Sequence, residues 1–243
     1  MNVIKSILFW LFLGITCISL FPIALVIRIV TGPFDRRLRL LHRFTSFWAS
    51  LYTWLNPFWG VSILHKTTVD PEQTYVIVSN HQSLVDIFAF FRTFVHFKWV
   101  SKSENFKFPF VGWNMRLNRY IEIKRGSNRS SAEMMKQCEN TLRSGSSIFI
   151  FPEGTRSTTG MLGKFKMGAF ELAKRTGLPI LPMVVHGSSN ALPKGGLILS
   201  GIHRIRIHII DAITADEVNR LSADELCDLT RNRIESELAL MQG

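Results

Sequence analysis

The stretch "NHQSLVDIF", residues 80–88, places a histidine and an aspartate at a predicted strand-to-helix junction. His81 directly follows the apolar run "YVIVS", at the strand end where open α/β sheets place their sites. With His81 in the turn and Asp86 in the first helical turn, the two side chains can meet. Asp86 can then accept a hydrogen bond from one ring nitrogen, which leaves the other nitrogen free to take a proton. The spacing therefore favours a general base and an orienting acid.

A helix cap is a simpler explanation of the same spacing. Ser83, with Asp86 three residues later, resembles an N-cap and its acidic partner, so capping alone accounts for the pattern. A metal site is disfavoured, because no other histidine, cysteine or acid lies at a ligand spacing from His81. The catalytic pair and the cap remain alternatives, and no metal is predicted.

A second polar cluster, "FPEGTRS" at residues 151–157, follows a run that is typical of a buried strand. Arg156 can bind a phosphate through two N–H groups, with Thr155 and backbone amides as further donors. Gly154 would let the backbone approach such a ligand closely. The alternative is a polar turn in which Arg156 pairs with Glu153.

Further basic residues can extend this predicted phosphate site. Arg125 ends the alternating strand "RYIEIKR", and Lys164 and Lys166 precede the next predicted helix. Solvated arginines and lysines are common at such positions, so an exposed side chain explains each of them equally well.

After Gly60, short β-rich runs alternate with helical stretches, and these elements must position the residues described above. The alternation predicts an α/β domain. Strands are predicted at 74–80, 96–102, 119–125, 146–154, 178–187 and 203–211, and helices near 84–95, 130–144, 166–176 and 222–241. The last helix begins with "SADE", a possible capping box. Gly195 and Gly196 indicate a loop, and neither nucleotide-binding glycine motif occurs.

The first sixty residues have a different character. From Ser6 to Ile27 there are 22 residues without a charged side chain, and a bilayer crossing needs about 20. The run exceeds the roughly 7–15 apolar residues of a secretory signal, which predicts a retained membrane anchor. Pro22 leaves a crossing helix and a re-entrant hairpin open. The aromatic stretch at 44–60 predicts a second helix, either interfacial or packed in the core.

Charge limits the class of partner. The 29 Lys and Arg residues against 18 Asp and Glu give a net charge of +11, which favours an anionic partner such as nucleic acid, anionic lipid or a phosphorylated substrate. No nucleic-acid-binding motif and no G-x-S-x-G elbow is present. The three cysteines lie far apart, which predicts buried thiols rather than a disulfide or a zinc site: Cys17, Cys138 and Cys227.

Four stretches, in order, resemble the motifs of the glycerolipid acyltransferase family: "NHQSLVDIF", "YIEIKR", "FPEGTRS" and "LPILPMVV". The resemblance covers roughly residues 75–190 and is strongest to members that act on 1-acyl-glycerol 3-phosphate. It implies an α/β fold with a mixed sheet flanked by helices, preceded by an N-terminal membrane-binding helical segment. Residues 1–60 would bind the membrane and residues 61–243 would form the catalytic domain. Two departures are Arg119, where members often have glycine, and Lys124, where they often have a small acid.

The resemblance also implies an activity: transfer of a fatty acyl group from acyl-CoA or acyl carrier protein to the free sn-2 hydroxyl of 1-acyl-glycerol 3-phosphate, giving phosphatidic acid. His81 would be the base oriented by Asp86, and no cofactor besides the acyl donor is expected. The implied substrate-binding residues are Arg125, Glu153, Gly154, Thr155 and Arg156.

The expected partners are the lysophospholipid acceptor, the acyl donor and the lipid bilayer, without nucleic acid. Arginines after the apolar run place the catalytic domain on the cytoplasmic side of the cell inner membrane. Two alternatives remain: a different lysophospholipid or lyso-aminolipid acceptor, and a membrane-bound serine hydrolase with Ser83 or Ser157 as nucleophile.

Overall fold

The computed structural model describes residues 2–124, 128–157, 161–193 and 195–242. The helices are α1 (Asn2–Thr31), α2 (Arg39–Trp54), α3 (Val85–Phe91), α4 (Val111–Leu117), α5 (Asn128–Arg143), α6 (Gly168–Thr176), α7 (Ala215–Arg220) and α8 (Ala223–Gln242). The strands are β1 (Trp59–His65), β2 (Val76–Ser79), β3 (Phe97–Lys102), β4 (Ile121–Ile123), β5 (Ser147–Ile150), β6 (Ile180–His186) and β7 (His203–Ile209). A short 3-10 helix, Ser103–Lys107, follows β3.

Within these residues the strands form one mixed sheet in the order β1-β7-β6-β2-β5-β3-β4. Strands β6, β2, β5, β3 and β4 are mutually parallel, whereas β7 is antiparallel to β6 and parallel to β1. The predicted mixed α/β sheet is therefore confirmed. The five parallel strands end at a common edge, called here the carboxyl edge, and begin at the opposite, amino edge.

The central strands are buried on both faces, which explains why their sequences are continuous apolar runs. In β2, Ile77 joins the core beneath α1, α2 and α3, while Val76 and Val78 join the core beneath α5, α6 and α8. Because β2 is packed on both faces, it fixes the position at which the following turn begins.

Helix α1 continues through Pro22 and is long and apolar enough to cross a membrane. A narrow stripe of α1 is buried against the rest of the chain, including Phe9, Cys17 and Ala24. The opposite face is apolar and exposed along nearly the whole helix, and includes Ile4, Leu8, Leu11, Ile15, Ile18, Val26 and Ile29. The segment predicted as an anchor is thus helical, with one face packed against the rest of the chain and the opposite face exposed.

Helix α2 contains much of the predicted aromatic segment, but the prediction of a helix over 44–60 was wrong at its end. The helix stops at Trp54, and Trp59 already belongs to β1. Trp48 and Tyr52 are buried while Phe47 and Trp54 are exposed, so one face of the helix packs in the core and the interfacial role of its exposed face stays a prediction.

Other elements match the predictions with small differences. The six predicted strands are present as β2 to β7, whereas β1, α4 and α7 were not predicted. Helix α3 ends at Phe91, earlier than predicted, and Phe94 then adopts a left-handed backbone. The capping box of "SADE" is present, with reciprocal bonds between Ser222 and Glu225. The three cysteines are buried free thiols.

Candidate active site

The turn between β2 and α3 carries His81, and Asn80 fixes that turn to the sheet. The Asn80 side-chain amide donates to the Val185 carbonyl at 2.8 Å, and its Oδ1 accepts from the Val185 N–H at 2.9 Å. One side chain thus continues the pairing of β2 with β6 after β2 ends. Asn80 was not singled out in the sequence, although it is the residue that holds His81 at the carboxyl edge.

The two side chains of the first motif are in contact. His81 Nδ1 lies 2.9 Å from Asp86 Oδ2. The imidazole also stacks on Phe151, with ring centroids 4.0 Å apart and planes 12° from parallel. Its side chain is 15% exposed, and among the described residues Nε2 has no hydrogen-bond partner. The stacking and the Nδ1 contact together fix the orientation of the ring.

The Asp86 carboxylate is fully buried and saturated with donors. Oδ2 accepts from the Gln82 N–H at 2.7 Å and the Ser83 N–H at 2.8 Å as well as from His81. Oδ1 accepts a short hydrogen bond from the Ser188 hydroxyl. This one carboxylate therefore makes the predicted contact with His81 and also binds two backbone amides of the turn before α3, while no side chain caps the helix itself.

Ser83 is not the N-cap that its sequence pattern indicated. Its hydroxyl donates to the Leu192 carbonyl at 3.3 Å, and it is only a marginal acceptor, at 3.5 Å, for the Val85 N–H. The fully buried Ser83 side chain thus ties the His81 turn to the loop after β6. Ser188, in that loop, escaped sequence analysis because the contact spans 102 positions.

Glu153 connects the second polar cluster to the first. Its Oε1 accepts from the His81 N–H at 2.9 Å, and its Oε2 accepts from the Gly163 N–H at 2.9 Å. The Ser157 N–H in turn donates to the His81 carbonyl at 2.8 Å. Burial raises the pKa of Glu153, and these backbone donors oppose that rise. The alternative ion pair with Arg156 is absent from the described part of the chain, because the Glu153 carboxylate bonds to backbone amides instead.

A cavity of about 370 Å³ opens beside this loop. Arg156 and Lys164 bring two positive charges to it. Its lining consists of Glu153, Thr155, Arg156, Ser157, Met161, Leu162, Gly163 and Lys164. Gly154 has φ of 67°, and a Cβ there would lie 2.9 Å from Lys166 Nζ. The predicted phosphate-binding residues 154–156 and Lys164 are thus gathered near His81.

Two basic residues, Lys102 and Arg125, lie in the sequence at or just after the last residues of β3 and β4. Arg125 lies outside the described residues, so its predicted role stays a prediction. Lys102 is the last residue of β3 and pairs in register with Ile123 of β4. Lys102 was missed in the sequence, although a basic residue closing a predicted strand is the same signal that singled out Arg125.

Comparisons with known proteins agree with this architecture. Residues 61–186 match the family model described as Acyltransferase. A chloroplastic 1-acyl-sn-glycerol-3-phosphate acyltransferase of Brassica napus is 34% identical over 98% of this chain and 68% of the relative. An enzyme of the same name from Pseudomonas aeruginosa is 38% identical over 52% of this chain and 49% of the relative.

Among solved structures, the crystal structure of a 1-acyl-sn-glycerophosphate acyltransferase from Thermotoga maritima superposes with a TM-score of 0.79. The match covers 100% of this chain and 98% of the other, at 20% sequence identity. The two chains therefore share a fold, from the N-terminal helix to the last one.

Proposed function

This chain belongs to the acyltransferase family, and from that premise we propose that it acylates the free sn-2 hydroxyl of 1-acyl-glycerol 3-phosphate to give phosphatidic acid. One observation carries the proposal: a buried Asp86 orients His81, whose free Nε2 lies at the same sheet edge as a cationic cavity. A base and an anion site at one edge suit an acceptor that has both a hydroxyl and a phosphate.

The reaction proceeds by direct attack. His81 Nε2 takes the proton of the acceptor hydroxyl as its oxygen attacks the thioester carbonyl of the donor. A tetrahedral intermediate forms and collapses, the carbon–sulfur bond breaks, and the departing thiolate takes the proton back from the imidazolium. Asp86 stabilises that imidazolium through Nδ1 and fixes the tautomer. The acyl donor is acyl-CoA or acyl carrier protein, and no other cofactor is needed.

The acceptor phosphate binds beside the second polar cluster, residues 151–157. Arg156 and Lys164 supply charge from the cavity wall, and Thr155 supplies polar atoms. Arg125, which follows β4 in the sequence, and Lys102, the last residue of β3, are further candidate ligands for this phosphate. Glu153 and Gly154 shape the loop, the first through its bonds to two backbone amides and the second through its positive φ.

The acceptor and product are membrane lipids, and we assign α1 and α2 as the membrane-binding segment of residues 1–60. The packed stripe of α1 runs from Ser6 to Thr31, so protein lies along the whole helix. A helix covered in this way fits a monotopic orientation, with its outer apolar face in lipid, better than a bilayer crossing. The arginines that follow α1 favour the cytoplasmic face of the inner membrane.

A serine hydrolase is the alternative from another class, and the hydroxyl positions argue against it. Ser83 Oγ donates to the Leu192 carbonyl, and Ser157 Oγ donates to the Met161 carbonyl at 2.8 Å. Neither of these hydroxyls is hydrogen-bonded to His81 in the described structure, so the nucleophile–base contact that such an enzyme needs is missing.

The direct test is an acyl-transfer assay on the purified full-length protein, with several lysolipids and with both acyl-CoA and acyl carrier protein donors. We expect 1-acyl-glycerol 3-phosphate to be the best acceptor. His81→Ala should lower kcat by about 10² to 10⁴-fold, the usual contribution of a general base. Ser83→Ala should keep most activity. Transfer that survives His81→Ala would overturn the mechanism, while a preference for a lyso-aminolipid would overturn only the acceptor.

A further inference from the structure

A second cavity, of about 240 Å³, lies at the amino edge of the sheet, at the opposite end from His81. It forms where the α1–α2 connection meets the beginnings of β3, β4 and β5 and the end of α5. Its lining consists of Arg36, Arg37, Leu38, Lys98, Arg119, Asn140, Thr141, Ser144 and Ser146. Lys98 and Lys102 are separated by most of β3, roughly 13 Å at the usual rise per residue. This cavity is therefore distinct from the candidate active site.

Lys98 is the unusual residue of this cavity. Its side chain is only 3% exposed, and among the described residues Nζ has no hydrogen-bond partner. Burial lowers the pKa of Lys98 to about 7; the charge of Asp35 opposes that change, while Arg119 and Arg28 add to it. The carboxylate of Asp35 is already engaged with two backbone amides of α2, at 3.0 and 2.8 Å. A buried amine without a hydrogen-bond partner is costly, and an anionic ligand would supply the partner that Lys98 Nζ lacks.

Three arginines add to the positive charge around Lys98. Within the described residues, Arg36 and Arg119 have no ion-pair partner. Arg37 is 3.8 Å from Glu72, which makes a closer pair with Arg39 at 2.5 Å. The carboxyl end of α5 contributes a partial negative charge, but about half an elementary charge is small beside four cations. The cavity is thus a concentrated and poorly neutralised positive site.

Arg119 adds a second local cost at the same place. Its backbone φ is 54°, in the left-handed region that residues with a side chain rarely adopt. Strain of this kind commonly accompanies ligand sites, although it supports the assignment here rather than carrying it.

The surroundings of the cavity indicate the source of the anion. Phe34 is 70% exposed and Leu40 is exposed as well, so apolar side chains flank Arg36 and Arg37 in sequence. In the sequence they follow Ile29 and Val30, the last exposed apolar residues of α1. Basic residues beside a membrane-inserted apolar face lie at the depth of the lipid headgroups.

We propose that the amino-edge cavity binds the phosphate group of an anionic membrane phospholipid. Lys98 is the buried ligand, and Arg36, Arg37 and Arg119 surround the phosphate. Because this lipid is neither acceptor nor donor at His81, the site is a second lipid contact that holds the far end of the α1–α2 hairpin on the membrane. The inference does not depend on the acyl-transfer reaction.

Native mass spectrometry of the full-length protein, released from neutral detergent micelles, can count retained phospholipids. We expect one phosphatidylglycerol to be retained at least about tenfold better than phosphatidylcholine with the same chains. Arg36→Gln/Arg119→Gln should abolish that preference. The matched control, Arg175→Gln/Arg220→Gln, removes two exposed arginines near α6 and α7 and should keep it. Acyl transfer in detergent should be unchanged in both double variants.

The variant Lys98→Met tests whether Lys98 binds the lipid phosphate or only supports the fold. If Lys98 is kept for a phosphate, the variant should lose the preference and unfold at the same or a higher temperature, because a buried polar group without a partner has been removed. Equal retention of both lipids, or an unchanged preference in Arg36→Gln/Arg119→Gln, would overturn the site. Displacement of the lipid by millimolar inorganic phosphate would overturn the assignment to a lipid. The cavity would then be a site that binds free phosphate adventitiously.

Discussion

Asp86 shows how a single residue can satisfy two explanations of one sequence pattern. Its Oδ2 receives two backbone N–H groups of the turn, as a capping acid does, and also the Nδ1–H of His81. Its Oδ1 has a separate partner, the hydroxyl of Ser188. The carboxylate cannot rotate without losing several bonds at once, so His81 is oriented by the fold rather than by a single contact.

Ser188 is therefore expected to be a positioning residue. Ser188→Ala removes a hydrogen bond to a buried charged group, a loss worth about 1.5–3 kcal/mol. We expect kcat to fall roughly tenfold or more, with little change in the KM for the acceptor and a shifted pH profile. Steady-state kinetics between pH 6 and 9 would measure this.

The control is Ser200→Ala, in the same connection between β6 and β7, where the hydroxyl donates to the Asn190 carbonyl instead. That variant should match the parent in kcat. If Ser188→Ala lowered only stability, with kcat and its pH profile intact, Ser188 would not position Asp86.

Helix α2 and the connection before it are joined to the region around β3 by two histidines: His42 is buried and His96 is partly buried. His42 Nε2 donates to the Val95 carbonyl at 3.0 Å, and Nδ1 accepts from the Tyr120 hydroxyl at 3.1 Å. His96 Nε2 donates to the Arg37 carbonyl at 3.1 Å, and the two rings lie 5.2 Å apart. The accepting Nδ1 of His42 requires the neutral form of that imidazole.

This arrangement predicts acid sensitivity. Burial lowers the pKa of His96 to about 4, with Lys98 and Arg39 adding to the effect and Arg37 and Asp35 opposing it; burial lowers that of His42 well below its ordinary value. Below pH 6.5 the unfolded chain takes up protons that the native chain does not, so stability falls with pH from about 6.5 to 4. The slope is about 1.4 kcal/mol per pH unit for each group.

Urea unfolding of the detergent-solubilised protein at pH 7, 6 and 5 would reveal this slope. His96→Gln keeps an N–H donor for the Arg37 carbonyl but cannot titrate, so it should reduce the slope by roughly one group's share. The exposed His65→Gln should leave it unchanged. A slope that His96→Gln does not alter would contradict this account.

Strands and long helices could be predicted from the sequence, because their signals are local. The run "TYVIVSN" is continuous and apolar since β2 is covered on both faces. In contrast, β1 is an edge strand with only one fully buried residue, Trp59, so its pattern is weak. Helices α4 and α7 have seven and six residues, too few for a helical period to be evident.

Within the site, the His81–Asp86 contact could be predicted because five positions separate the residues. The supports from Ser188, Val185 and Glu153 could not, since each contact joins segments 72 or more positions apart. The same limit applies to Lys98, which looks like an alternating strand residue and is buried only because the α1–α2 connection covers it.

At the scale of the whole molecule, the hairpin spans the domain from one sheet edge to the other. Near the beginning of α1, Trp10 Nε1 donates to the Leu197 carbonyl at 2.8 Å, and Ser6 Oγ accepts from the Leu199 N–H at 2.8 Å. That loop continues from Ser188, beside the candidate active site. The end of α1 leads instead into the amino-edge cavity. One helix therefore reaches from the region of the candidate active site to the amino-edge cavity, so the proposed membrane-binding face of α1 would bring both to one membrane surface.

This arrangement predicts that loss of membrane contact impairs acylation of lipid-embedded acceptors only. Ile15→Glu/Ile18→Glu places two charges on the exposed face of α1, so the fold should be preserved while vesicle binding falls by about tenfold or more. Leu240→Glu is the matched control, because Leu240 is 70% exposed on α8 and outside the proposed membrane surface.

With a long-chain acceptor in vesicles, the α1 variant should lose most activity and Leu240→Glu should lose little. A short-chain acceptor, monomeric in water, needs no extraction from the bilayer, where each buried CH₂ is worth about 0.8 kcal/mol. Both variants should therefore acylate it at the parent rate. An equal loss with both acceptors would mean that α1 supports the active site itself, since the helix reaches that loop through Ser6 and Trp10.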